Sequence, residues 1–540
     1  MLPTYITRSF KALFLAAALV PAATSCTNDL DQEPSYLASP DAVYRDPAQI
    51  QQVLARLYAT LAVSGQNGGT DRYDLQFVDA GYSNYMRAYW VMQELTTDEA
   101  IIAWGDPGLP ELNTNTWNPD NQFIRAMYDK IYFQISGCND FLRNTSDEQL
   151  ATRGIIGTAA EQVRQYRAEA RFLRALSYYH ALDFFGNVPF VDENFAVGTG
   201  ALPTQISRAD LFTFIETELK AIEPTLLAPR TVYGRADQGA CWTLLTKLYL
   251  NAQVYTNTAR NTEAVTYANK VLASNAGYAL TNNYRYVFLA DNNTTARNEI
   301  IFPVENDGQR TQNFGNTTFL VHASVGGSMS AAEAGVNGGW YGIRLRPSLV
   351  DLFLPSGTAT TTDTRALFYT AGQSRQVNSI SSFNDGYAST KWRNVTSAGV
   401  PGSGFAPAGN GDFVDTDYPL FRLSDVKLMY AEAVLRGGTG GTAGTPLEQV
   451  NQVRARAGAQ PLTSVSEQAI LDERGRELYW EGHRRTDLIR FNKYVSGYNW
   501  AYKGSTTAPN GQNIAATRIL FPLPNTDLVA NPNLKQNQGY

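Results

Sequence analysis

Apolar positions recur at steps of three and four residues through much of this chain, the spacing of a helix with one buried face. Residues 48–63, 121–142, 162–185, 208–226, 236–255 and 262–274 carry that period, as do 423–436, 446–457 and 467–491. Local signals mark some of the ends. Thr445-Pro446-Leu447-Glu448 forms a capping box with proline at the first helical position, and Gly458 stands just past the far end. Ser464 with Glu467 offers a second box. Trp242, Leu245, Thr246 and Tyr249 have the spacing of the first helix of a tetratricopeptide repeat, and Ala264 and Ala268 suit the small packing positions of its second. Stacked pairs of this kind bury a continuous core and leave a surface for partners. The same four residues are equally compatible with a plain helical core.

The period is lost over 64–120 and 278–420. These stretches are rich in Gly, Asn, Thr, Ser and Asp, with short apolar runs such as Glu299-Ile300-Ile301-Phe302-Pro303. Loops of this length inside a compact protein are usually functional. Trp90, Trp104, Trp117, Trp340 and Trp392 fall in them, which leaves only Trp242, Trp480 and Trp500 elsewhere. The expected fold is therefore mostly α: tetratricopeptide-like helix pairs near 121–275 and 423–491, packed against an irregular, loop-rich half with little β.

At 44% hydrophobic residues the 540-residue chain can fill a large core. Aromatics make up 12%, and 30 Tyr against 25 Phe means many rings carry a polar handle, as recognition surfaces do. The formal charge of −6 leaves no basic excess to neutralise phosphates and argues against nucleic acid as a partner. Three Cys and three His exclude a disulfide scaffold and a Cys/His-rich zinc module.

The N-terminus reads as a targeting signal. Arg8 and Lys11 precede an apolar run, 12–23, that is too short for a bilayer core needing about 20 residues. It ends Ala23-Thr24-Ser25-Cys26, which resembles the lipobox of bacterial lipoproteins. That resemblance implies a signal peptide over 1–25, lipid attachment at Cys26, a tether over 26–40 and a body over 41–540. Cleavage takes the charge from −6 to −8. Two or more acyl chains anchor a protein stably where one is marginal. Thr-Asn-Asp-Leu-Asp-Gln-Glu-Pro after Cys26 loosely resembles surface-export signals of Gram-negative lipoproteins, and also suits a solvated linker.

Tests for catalysis mostly fail. His180, His322 and His483 have no ligand at metal spacing. Gly326-Gly327-Ser328-Met329-Ser330 misses the last glycine of a nucleophile elbow. The glycine-rich 438–443 follows a helix rather than a strand, so it reads as an inter-helix loop. Glu473, Glu477 and Glu481 share one helix face, the kind of carboxylate set a glycosidase needs. Arg474, Arg476, Arg484, Arg485 and Arg490 share the segment, however, and favour a structural charge network. Asp412, Asp415 and Asp417 fit no defined calcium loop and read as a solvated acidic turn. Cys138 and Cys241 read as buried thiols. No metal, cofactor or catalytic residue is expected.

Five stretches together resemble the SusD/RagB family of outer-membrane lipoproteins. They are the lipobox with Leu30-Asp31-Gln32-Glu33-Pro34; 168–175 running to Phe185-Gly186-Asn187-Val188-Pro189; 234–252; 423–433; and Glu473-Arg474 through Glu477-Leu478, Glu481-Gly482-His483-Arg484 and Asp487-Leu488. Gly475, Arg485 and Thr486 depart from the commoner residues of the last signature. The resemblance implies a protein at the cell surface, anchored by lipid in the outer membrane and seated over a SusC-like TonB-dependent transporter. Such a protein binds a glycan, or in RagB-like members a peptide, and delivers it without covalent chemistry. A surface glycoside hydrolase and a pure scaffold are the remaining alternatives.

By the same resemblance, ligand contacts come from 97–106 and 337–342. An exposed indole or phenol stacks on the apolar face of a sugar ring, Asn and Asp bond its hydroxyls, and flanking glycines let a ring stand clear of its loop. The candidates are Trp104, Trp340 and Tyr341 for stacking, with Asp106 and Asn337 for hydroxyls. Tyr82, Tyr85, Tyr89 and Trp90 form a second aromatic cluster of lower rank.

Overall fold

The helical period is realised as a chain of packed helices in a computed structural model that describes residues 40–67, 71–355, 360–405 and 412–540. Helix α1 is Pro47–Ala62, α2 Gln122–Asn144, α3 Gly157–Phe184, α4 Arg208–Ile222, α5 Gln238–Leu250 and α6 Asn261–Leu272. After a long irregular stretch containing α7, Asn316–Ala323, come α8 Leu423–Leu435, α9 Pro446–Arg456, α10 Glu467–Leu478 and α11 Arg484–Arg490. Polar caps define several starts. Asn121 accepts from the amides of Phe123 and Ile124, Asp237 from Ala240, and the Thr445–Glu448 box closes reciprocally on α9.

Packing runs from neighbour to neighbour: α2 on α3, α3 on α4, α5 on α6, α6 on α8 and α8 on α9. Ala264 and Ala268 are fully buried on α6, where a small side chain permits close approach to α5, and Tyr249 stacks on Tyr267 at 5.6 Å. Strands are short. Ala100–Ile102 (β1) pairs antiparallel with Ile343–Leu345 (β3), and Ile300–Val304 (β2) with Tyr418–Arg422 (β4). The main hydrophobic core draws residues from Tyr44 to Leu534, so the helices and the loop-rich parts share it. No helix among the described residues is long and apolar enough to cross a membrane. The lipobox and Cys26 lie outside the described residues.

Several expectations need correction. The single helix expected over 467–491 is two, α10 and α11, separated by a turn in which Trp480 and Gly482 take positive φ of 62° and 78°. The turn's amides are held by distant carboxylates. Glu94 accepts from Gly482 at 2.6 Å and His483 at 3.2 Å, and Glu99 accepts from Trp480 at 3.2 Å. The helix expected over 236–255 breaks after Leu250, and Ala252–Thr256 is a separate short helix. The cap of α10 is Ser466, which accepts from Ala469, not Ser464. Asp412 and Asp417 are buried rather than solvated. Asp417 accepts from Asn306 and Tyr233, Asp415 from Gly308 and Ser403, so these carboxylates tie loops together. Tyr85, Tyr89 and Trp90 are core residues.

The carboxylate row is sealed in ion pairs. Glu473, Glu477 and Glu481 are fully buried, and Arg422 on β4 bonds Glu477 at 2.6 Å, Glu481 at 2.5 Å and Glu299 at 2.9 Å. Arg365 reaches Glu473 and Glu477, Lys391 reaches Glu481, and Arg456 joins Glu299 to Glu477. Burial alone would raise the Glu477 carboxyl, but Arg456, Arg422 and Arg365 hold it far below the usual carboxylate range. Cys138 and Cys241 are buried free thiols, and burial pushes Cys138 up to about 12.

Candidate functional site

The pairing of β1 with β3 brings together two loops that are far apart in sequence. Ala100 lies opposite Leu345 and Ile102 opposite Ile343, and the Ala103 amide donates to the Gly342 carbonyl at 2.9 Å. The strands therefore end side by side, and the loop after β1 meets the loop before β3. The Trp104 indole donates to the Trp340 carbonyl at 2.9 Å across 236 residues of sequence, and the two rings are 6.3 Å apart. Tyr341 is 53% exposed beside them, with its ring 5.6 Å from Phe383. Trp104 and Trp340 are half-buried. Both indoles are fixed by their neighbours and keep part of their surface in solvent, as a stacking platform requires.

The backbone that carries these rings is tightly held. Trp340, Tyr341 and Gly342 donate to the carbonyls of His322, Val325 and Ala323, which seats the loop on the end of α7. Tyr341 takes a left-handed φ of 54°. Gly342 is needed for contact rather than for φ: a Cβ there would lie 2.7 Å from the Trp104 indole. Beneath Trp340 lies His322, its ring stacked at 4.5 Å and 16°.

Asp106 and Asn337 flank the rings. Asp106 is half-buried, and its carbonyl accepts from Leu109 at 3.0 Å. Asn337 is exposed, and its amide donates to Asp412. Two residues that sequence patterns did not single out for this site also belong here. Arg87 lies with its guanidinium carbon 3.8 Å from the Tyr82 ring, 4.3 Å from Phe319 and 5.6 Å from Trp104. It donates to the Phe314 carbonyl at 3.2 Å, and its Nε is buried without a partner. Burial pushes Arg87 down to about 10, a value that leaves it charged at neutral pH. Burial also raises the Tyr82 hydroxyl to about 12, Arg87 opposing and Asp106 reinforcing the shift. A hydroxyl-bearing ligand over Trp104 would thus meet the Tyr82 phenol and the Asp106 carboxylate, with the buried Arg87 charge behind them.

The first loop is anchored from behind by acids. Asp98 forms a paired bond with Arg484, at 2.8 and 2.7 Å. Glu94 and Glu99 are both buried beside the turn between α10 and α11. Burial raises Glu94 from about 4.5 to about 7, with Glu99 and the turn amides opposing, and burial with Glu94's charge raises Glu99 further. A carboxyl whose folded pKa lies above its unfolded value stabilises the fold below the unfolded value, and that contribution is lost as pH rises through the folded one. Stability should therefore fall between about pH 4.5 and 7 on account of Glu94. Glu94→Gln should flatten that slope and exceed the parent at pH 8 by on the order of 2 kcal/mol in urea unfolding. Parallel pH profiles would disprove this.

The architecture is thus one of helices stacked in series, with aromatic rings carried on loops that the helices brace. Residues 298–540 match the family model for the SusD family. Over 583 aligned positions the chain is 36% identical to the starch-binding protein SusD of Bacteroides thetaiotaomicron, covering 99% of each. It is 24% identical to the SusD-like protein P2 of Formosa agariphila, covering 99% of this chain and 100% of that one. The chain belongs to the SusD family. Among solved structures it shares its fold with surface glycan-binding protein A from Bacteroides fluxus, at a TM-score of 0.71 and 19% identity over 91% of this chain and 99% of that one. Surface glycan-binding protein A from Bacteroides thetaiotaomicron in complex with laminarihexaose gives a TM-score of 0.68 at 18% identity, again over 91% and 99%.

Proposed function

We propose that this chain is a lipid-anchored receptor, attached through Cys26 to the outer membrane and facing outward, that binds a glycan on the face formed by Trp104, Trp340 and Tyr341. In this reading it passes the glycan unaltered to a SusC-like TonB-dependent transporter. The observation that carries the glycan reading is the meeting of two indoles and an exposed phenol at the ends of β1 and β3, with Asp106, Asn337 and Arg87 around them. Flat rings match the C–H faces of sugars, and the polar groups match their hydroxyls. The names of the relatives point the same way, since one is a starch-binding protein and another was solved with laminarihexaose.

The reading is non-catalytic. The carboxylates that resemble a glycosidase pair are locked in ion pairs with arginine and lysine in the interior, where no sugar reaches. The test is native electrophoresis of the purified chain through gels containing soluble starch, laminarin or neither. Retardation by at least one polysaccharide is expected, with no reducing ends released. Mobility unchanged across a broad polysaccharide panel, with binding to peptides instead, would favour a RagB-like receptor.

A further inference from the structure

The ring beneath Trp340 has a hydrogen-bonding problem that only a second proton solves. His322 is almost fully buried on α7. Its Nδ1 lies 2.8 Å from the Gly338 carbonyl oxygen, and its Nε2 lies 3.0 Å from the Asp412 carbonyl oxygen. Both partners are carbonyls, which only accept. A neutral imidazole has one N–H, so in that form one of the two contacts sets a nitrogen lone pair against an oxygen lone pair. The imidazolium has two N–H groups and satisfies both. Asp412, whose carboxylate is 3.8 Å from Nε2, supplies the opposite charge and among the described residues is the one titratable group acting on the ring. The indole of Trp340, parallel to the imidazole at 4.5 Å, suits a cation over its face.

The two carbonyls belong to different segments. Gly338 lies in the loop that carries Trp340 and Tyr341. Asp412 lies in the segment that leads to β4, and its carboxylate also receives the Asn337 amide. We propose that His322 is a positioning residue for the aromatic face: as an imidazolium it bolts the Trp340 loop to the Asp412 segment, and the face is fully set only when the ring carries its second proton. This rests on the glycan reading of that face. Desolvation pulls His322 below the ordinary histidine value, against the two carbonyls and Asp412, so the bolt closes on the acid side of neutrality. Glycan affinity should rise as pH falls.

Only three histidines are present, so ring-¹⁵N-histidine labelling gives three resolvable rings, and His322→Phe identifies the one in question. Phenylalanine keeps a ring under Trp340 but offers no N–H. In the parent chain without ligand, both His322 nitrogens should become protonated as pH falls below neutrality, and the Trp340 indole and Gly338 amide signals should shift in the same step. A ring with one N–H throughout, or a Trp340 signal that does not follow it, overturns the proposal. Whichever of starch or laminarin binds should do so about fivefold more tightly once the ring carries both protons than at pH 8, the worth of one hydrogen bond, and His322→Phe should lose that gain. An equal gain in both chains overturns the positioning role. If no polysaccharide of the broad panel binds at any pH, the glycan reading fails, and the ligand-free titration still decides the state of the bolt.

Discussion

Arg422→Met should cost about 3–5 kcal/mol of stability, the largest effect expected of any single substitution considered. Arg422 is buried at the end of β4 and bonds Glu299, Glu477 and Glu481. Methionine fills a similar volume without charge. Arg365, Lys391 and Arg456 remain, but they cannot reach every oxygen that Arg422 now satisfies. The Glu481 Oε2 and one Glu299 contact lose their cation outright. A buried carboxylate without its partner must either stay charged at high cost or take up a proton. The loss should shrink at low pH, where protonation relieves it. Urea unfolding measures both quantities, and a midpoint unchanged from the parent would mean that the network is not sealed from water.

The second large effect falls on binding. Trp340→Ala should weaken the affinity for a bound polysaccharide by about 30-fold, near 2 kcal/mol, as expected of a central aromatic anchor. Trp104→Ala should do as much, and the pair together should remove retardation in affinity gels. The rings touch, so their effects should combine non-additively. Both are half-buried at the surface, and the unfolding midpoint should move little compared with Arg422→Met. Binding that survives the double substitution would place the ligand elsewhere.

How much of this was legible in the sequence follows from how local each cause is. The box at Thr445–Glu448 and the cap at Asn121 depend on residues within one turn, so α9 and α2 could be placed closely. The break between α10 and α11 could not, because Glu94 and Glu99, nearly 400 residues earlier, hold the turn. That Glu473, Glu477 and Glu481 belong to a charge network was legible from the arginines in their own segment, but their partners were not: only Arg476 reaches one of them, and Arg365, Lys391, Arg422, Arg454 and Arg456 come from other segments. The burial of Asp412 and Asp417 was not, because their partners Asn337, Asn306 and Tyr233 come from distant loops.

The candidate site divides in the same way. Trp104 and Trp340 stand out as tryptophans in glycine-containing loops, but nothing in either loop announces that β1 pairs with β3. Tyr82 ranks in sequence with the second aromatic cluster, and nothing local to Arg87 sets it against Trp104. A signal was present in Gly81, where a Cβ would sit 2.8 Å from the Arg87 guanidinium, although one sequence gives no means to see it. His322 was weighed only as a metal ligand. Its two carbonyl partners come from positions 16 and 90 residues away, and only the folded chain sets them on opposite sides of one ring.

Whether sugar rings lie on the face where β1 and β3 end is decided by a crystal structure with an oligosaccharide cut from whichever polysaccharide retards the chain. Saccharide rings are expected against Trp104, Trp340 and Tyr341, with hydroxyls within hydrogen-bonding distance of at least one of Asp106 and Asn337. An oligosaccharide bound at full occupancy on another surface, with these three rings bare, would contradict that placement.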